Sequence, residues 1–107
     1  MQLSLRWGVP AVLAGLMVAQ GAVAQDARAL YLQSLAATCA NCHGTQGRAV
    51  DKTTVPGLAG MPAVVTAEAM RAFKAGTRSA TVMHQLAKGY SDAQIDQLAA
   101  YFAAQPK

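Results

Sequence analysis

The sequence is short of aromatic side chains, of acidic side chains and of cysteine, and each shortage narrows what the protein can be. One Trp, three Tyr and two Phe in 107 residues give no series of rings on which nucleic-acid bases could stack. The nine Lys and Arg are scattered rather than massed, so nucleic acid is set aside as a partner. Only five Asp and Glu oppose them, leaving a net charge of +4. That balance suits steering toward an acidic protein surface, and a plain solvated face fits it as well. The two cysteines lie three positions apart, so a disulfide between them would close a tiny loop and stabilise little. No run alternates with period two for long enough to form a strand, and the fold class expected is all-α.

The first residues read as an export signal. Arg6 and the amino terminus are positive, Val9 to Val18 carries no charge, and Ala22-Val23-Ala24 places small residues where a signal peptidase reads. Cleavage after Ala24 is expected, with 1–24 a signal peptide and 25–107 a single periplasmic domain without stable membrane insertion. The rival is an uncleaved anchor over Trp7 to Ala24. A spanning helix needs about 20 predominantly apolar residues, and Pro10, Gln20 and Gly21 interrupt this one. Loss of Arg6 takes the net charge to +3. Gln25 to Lys107 is 83 residues, a length that ordinarily needs a staple. Met70, Phe73, Ile95, Leu98 and Phe102 are too few to build a deep core around themselves. A large apolar disc held among helices would complete it.

Three main helices are expected. The first runs from about Asp26 to Ala40, with Leu30, Tyr31, Ser34, Leu35 and Thr38 at helical spacing. The second runs from about Thr66 to Lys74, with Thr66 as N-cap, Glu68 in the first turn, Met70 and Phe73 as its apolar stripe, and Gly76 as its stop. The third begins at Ser91, which forms a capping box with Gln94. It continues through Ile95, Leu98, Ala99 and Phe102 on one stripe. A short turn over Thr81 to Leu86 is also expected. The 19 residues from Gly44 to Pro62 hold four glycines and two prolines, a long loop for a compact domain. Wrapping a cofactor would account for it.

Cys39-Ala40-Asn41-Cys42-His43 is the C-x-x-C-H pattern of covalent haem attachment. Two thiols on one helical turn reach the two vinyl groups of a porphyrin, and the next imidazole projects toward the iron from the same side. Its second nitrogen ordinarily bonds a backbone carbonyl, which sets the tautomer. A thioredoxin-like disulfide would need a βαβ context that is missing here. A zinc site from Cys39, Cys42, His43 and His84 fits no known ligand spacing. One covalent haem c, with Cys39 and Cys42 as attachment points and His43 as an iron ligand, is the expectation. For the opposite face Met61, Met70, Met83 and His84 are all candidates, Met83 being the best placed of the four. Met70 sits on the stripe where methionine usually fills core.

The residues then show a resemblance. Cys39 to Gly44 with Gly47, Pro56-Gly57-Leu58-Ala59-Gly60, Phe73 to Arg78, Met83, Tyr90-Ser91-Asp92 and Leu98 to Phe102 follow in the order of small class I monohaem cytochromes c. The chain resembles that family from Gln25 onward. Ala69 to Tyr90 carries a narrower likeness to the cytochrome subunits of flavocytochrome c sulfide dehydrogenases. The resemblance implies a small cytochrome c fold wrapped around one haem. It implies that Met83 is the distal ligand, that the Pro56 carbonyl holds the proximal imidazole, and that Leu30 or Tyr31 crosses Leu98 or Phe102. His84 departs from the pattern and is read as facing outward. The implied function is electron transfer by an electron carrier, not an enzyme, with a redox partner protein such as a flavoprotein subunit. The rivals are a free-standing shuttle and a five-coordinate haem enzyme or gas sensor. Lys52, Lys74, Arg78 and Lys88 are candidates for facing a partner, and Arg78 for pairing with a haem propionate.

Overall fold

The computed structural model describes residues 9–51 and 54–107, with the side chains of residues 9–20 outside that description. Arg6 and Lys52, and the first part of the expected signal peptide, also lie outside the described residues. The chain divides after Tyr31 into two compact units, Met1–Tyr31 and Leu32–Lys107. Among the described residues the elements are helical throughout. They are α1 (Val9–Ala37), α2 (Ala40–His43), a 3-10 turn at Thr45–Gly47, α3 (Ala63–Ala75), α4 (Met83–Leu86), a 3-10 turn at Ala87–Gly89, and α5 (Asp92–Ala103).

In the first unit the described part is α1, whose residues 21–31 are exposed. Asp26 was expected to open this helix and instead lies inside it. Ala22 to Ala37 is rich in good helix formers with no Gly or Pro, so nothing in that stretch starts or stops a helix. No helix among the described residues is long and apolar enough to cross a membrane.

In the second unit α1 ends at Ala37, earlier than the expected Ala40. The Thr38 hydroxyl donates to the Leu35 carbonyl at 2.7 Å. The amides of Thr38 and Cys39 reach back only three residues, to Leu35 and Ala36. A side chain that bonds local backbone competes with the helical ladder, and the last turn tightens. The helix resumes at Ala40 for one turn.

α3 starts at Ala63, not at Thr66, because Pro62 occupies the capping position and its carbonyl accepts from the Val65 and Thr66 amides. Thr66 is therefore an interior helical residue, buried, with an enclosed hydroxyl that finds no partner. Glu68 correspondingly falls beyond the first turn. The stop at Gly76 is as expected: φ is +76°, and the Gly76 and Thr77 amides donate to the Phe73 and Ala72 carbonyls. That left-handed closure suits glycine, which lacks a β-carbon. α5 has the expected box, with Gln94 N donating to Ser91 Oγ at 3.2 Å and Ser91 N to Gln94 Oε1 at 2.9 Å.

α5 is the spine of the core. It buries Ile95, Leu98, Ala99 and Phe102. Leu98 and Phe102 meet Ala36, flanked by Leu35, Cys39, Leu58, Tyr90 and Tyr101. Ile95 and Ala99 meet Ala67, flanked by Ala63, Met70 and Tyr90. Within the second unit α1 meets α5 through Ala36, with Leu35 beside it; Leu30 and Tyr31, the pair expected there, belong to the first unit. Of the seven buried apolar side chains among the described residues four are alanine, so the protein interior alone is thin.

The long loop is stitched to the end of α5. Gly60 N donates to Phe102 O at 2.9 Å, and Arg48 Nε donates to Pro106 O at 3.0 Å. Within the loop the Leu58 and Ala59 amides both donate to Gly47 O, at 2.7 and 3.1 Å.

Candidate functional site

The break between α1 and α2 sets out the C-x-x-C-H residues. Thr38 and Cys39 form the turn, and α2 holds Cys42 and His43 on its single turn. The amides of Cys42 and His43 both donate to Cys39 O, at 3.3 and 2.9 Å, which gathers the three side chains around one carbonyl. Both cysteines are free thiols, Cys39 half-buried and Cys42 exposed. Burial pushes the Cys39 thiol up, the Thr38 hydroxyl beside it opposes this, and nearby Cys42 adds a smaller upward push. The burial comes from its place against the cluster of Ala36, Leu98 and Phe102.

His43 Nδ1 lies 2.7 Å from the carbonyl oxygen of Pro56. A carbonyl only accepts, so Nδ1 carries a proton, and in the neutral ring it is Nε2 that holds the lone pair. This is the contact that the resemblance implied. It orients the ring and gives the nitrogen that a metal requires. The glycines and prolines of the loop are what bring a backbone carbonyl to that point.

The candidates for the second face separate in part. Met70 packs against Ile95 and Ala99, the core-filling role expected of it. Met61 is half-buried in the loop, and Met83 is half-buried at the start of α4. His84 does not simply face outward. It is half-buried, and its Nδ1 is enclosed without a hydrogen-bond partner. The structure does not gather Cys39, Cys42, His43 and His84 into a metal-holding group among the described residues.

The cations are more committed than the sequence indicated. Lys74 Nζ donates to Tyr90 O at 2.8 Å and to Asp92 Oδ1 at 2.9 Å, tying α3 to the start of α5. Arg71 pairs with Asp96 across the same two helices. The Arg78 guanidinium lies over the Phe73 ring at 4.8 Å. Lys88 is exposed. Sequence reasoning gave Tyr90 no role of its own, although it sits at the position before an N-cap. An apolar side chain there often staples onto the residue five positions on, and Tyr90 does flank Ile95.

A c-type haem fits what the residues provide. His43 has one nitrogen anchored and the other available, two thiols lie on the adjoining turn, and the apolar interior is small. The comparisons with known proteins agree. A family model described as cytochrome C oxidase, cbb3-type, subunit III matches residues 22–102. The chain belongs to this cytochrome c family. It is 32% identical over 107 residues to a thiosulfate dehydrogenase electron acceptor of Stutzerimonas stutzeri, covering 96% of this chain and 49% of that one. It is 38% identical over 68 residues to a cytochrome subunit of sulfide dehydrogenase of Chlorobaculum tepidum, covering 64% and 60%. It is 35% identical over 71 residues to cytochrome c-554(548) of Halomonas halodenitrificans, covering 64% and 84%. The chain spans about half to three fifths of the length of the first two relatives. Family membership makes this a cytochrome c domain, which binds haem and transfers electrons.

Proposed function

We propose that the chain carries one electron at a time on a single haem c in the periplasm, after loss of residues 1–24. Cys39 and Cys42 are the points of covalent attachment, and His43 and Met83 are the axial ligands. The observation that carries this reading is the 2.7 Å contact of His43 Nδ1 with Pro56 O, beside the two free thiols. The haem, when bound, supplies a one-electron ferric–ferrous couple.

The chain's own residues have three tasks. Pro56 O holds the Nδ1 proton, keeps the ring oriented and raises its basicity toward a metal. Leu98 and Phe102 form an apolar wall behind Cys39 that excludes water. Met83 offers a soft thioether, which stabilises ferrous iron and so raises the potential relative to a second imidazole.

Two relatives are named for their work with thiosulfate or sulfide dehydrogenase. On that basis the proposed partner is a dehydrogenase that oxidises an inorganic sulfur compound, and the resemblance carried by Ala69 to Tyr90 adds a flavoprotein subunit as the proposed electron donor. A free-standing shuttle is the second reading. It is favoured by the likeness to cytochrome c-554(548), of which this chain covers 84%.

Material from a host with working cytochrome maturation tests the proposal. The expected mass is that of the polypeptide from Gln25 plus one haem, and the band should stain for haem on a denaturing gel. A mass equal to the bare polypeptide would end the proposal. A flavin-containing chain that co-purifies supports the subunit reading, and its consistent absence supports the shuttle.

A further inference from the structure

Between Glu68 and Asp92 the chain holds no acidic residue, yet it holds Arg71, Lys74, Arg78 and Lys88. The fold sorts these cations into two kinds. Arg71 and Lys74 are neutralised by Asp96 and Asp92 where α3 meets α5. Arg78 rests over the Phe73 ring, which steadies the guanidinium without cancelling its charge. Lys88 is exposed, and no described residue pairs with it. Two cations are thus left unopposed, one at each end of the stretch that runs through α4.

Between them lies apolar surface that the fold does not use. α4 and the turn after it pack on α3, and Ala87 is wholly buried. Val82 and Leu86, four residues apart and so neighbours on one side of the turn, are 52% and 51% exposed. Successive residues of a helix point about 100° apart, so Leu86 and Val82 turn away from the side on which Ala87 is buried. Neighbouring aliphatic side chains left in water and bordered by unpaired cations have the composition of a contact face.

We infer that Arg78, Val82, Leu86 and Lys88 form the face on which the redox partner docks, and that the partner presents an apolar spot bordered by carboxylates. The inference rests on the proposed electron-transfer role and adds where the partner sits. Met83, the proposed ligand, opens the same turn, so a protein seated here lies beside the residue that would hold the iron. The cations and the aliphatic pair act at different stages. Unopposed positive charge speeds encounter with an acidic surface and is screened by salt. Burial of Val82 and Leu86 holds the complex once it forms, and that contribution does not depend on charge. A second copy of the chain is a poor occupant, because it would bring Arg78 and Lys88 against their own kind.

The parent and its variants, all as full-length holoproteins, are reduced in stopped flow by flavodoxin. This acidic flavoprotein serves as the probe, and its reduced flavin passes one electron to ferric haem. Arg78→Gln and Lys88→Gln are expected to slow reduction several-fold at low ionic strength and little in high salt. Val82→Ser and Leu86→Ser should slow it several-fold in high salt as well, with the thioether-to-ferric-iron band and the reduction potential unchanged. Lys107→Gln, at an exposed cation outside the stretch, should change little. The inference is overturned if Lys107→Gln slows reduction as much as Lys88→Gln, or if Leu86→Ser is reduced as fast as the parent. Loss of the band in Leu86→Ser also overturns it, since Leu86 would then belong to the haem pocket. A parent that sediments as a dimer, with a Leu86→Ser protein that does not, gives the face to a second copy and overturns it too. A parent that carries no haem would instead overturn the proposed function, so the two failures are distinguishable.

Discussion

Gly47 packs closely against the side chain of Phe102. A β-carbon built on Gly47 would fall 2.8 Å from Phe102 Cδ1 and 2.9 Å from both Ala59 N and Leu58 Cβ. Its φ is +77°, so a side chain there is strained before any contact is counted. The loop that supplies Pro56 therefore passes as close to α5 as a backbone without a side chain allows.

Gly47→Ala should for that reason destabilise the folded protein by about 2–4 kcal/mol, from left-handed strain together with overpacking. Chemical denaturation followed by far-ultraviolet circular dichroism gives the value. A loss below about 0.5 kcal/mol, the scale of an ordinary surface change, would show that the loop can shift away from Phe102.

Ser91→Ala removes the acceptor for Gln94 N at the start of α5. The expected cost is about 1 kcal/mol. Because Gln94 closes the same box, Gln94→Ala added to Ser91→Ala should cost less than the two single losses combined. Full additivity in the denaturation midpoints would mean that the box does not act as a unit.

Hydrogen bonding by Lys74 holds the Asp92 carboxyl below its ordinary value, with the charges of Lys74 and, more weakly, Arg71 acting in the same direction. A depressed carboxylate value in the folded state contributes stability that is fully present above the unfolded value. That contribution is lost as pH falls through the folded one. Stability should therefore decline in acid below about pH 4, and Asp92→Asn should remove this part of the decline. An Asp92→Asn protein with an unchanged acid limb would show that other carboxylates account for it.

Met83→Ala is expected to abolish the thioether-to-ferric-iron absorption band, lower the reduction potential and open the iron to carbon monoxide. His84→Ala should leave the band in place. If Met61→Ala abolishes the band while Met83→Ala spares it, the ligand is Met61. If the parent protein already binds carbon monoxide rapidly and tightly in its ferrous form, no thioether is bound and the five-coordinate reading takes over.

The parts of the fold legible in the sequence are those whose cause is local. Ser91 and Gln94 sit three residues apart and cap each other, Gly76 needs no partner to turn left-handed, and the α5 stripe repeats at 3.6 residues. The motif from Cys39 to His43 is likewise contiguous. Its anchor at Pro56 came from the family resemblance, since no local pattern shows which carbonyl a distant imidazole will meet.

The features that escaped depend on alternatives settled by tertiary contact. Both Pro62 and Thr66 can begin a helix, and proline prevailed because its carbonyl was already placed to accept from Val65 and Thr66. The resemblance implied a crossing at Leu30 or Tyr31, and which turn of α1 meets Leu98 and Phe102 is settled by packing, which places Ala36 there. His84 looked like a surface residue, and its enclosed Nδ1 depends on neighbours distant in sequence. The bond between Thr38 and Tyr90 joins positions 52 residues apart, and periodicity says nothing at that range.

His43, Arg48 and Lys74 each direct a side-chain nitrogen at a main-chain oxygen, that of Pro56, Pro106 and Tyr90 respectively. Every residue type offers the same oxygen. Mutational tolerance across these three links should consequently be one-sided: the donor positions admit few replacements, while the acceptor positions can change identity so long as the chain keeps its course.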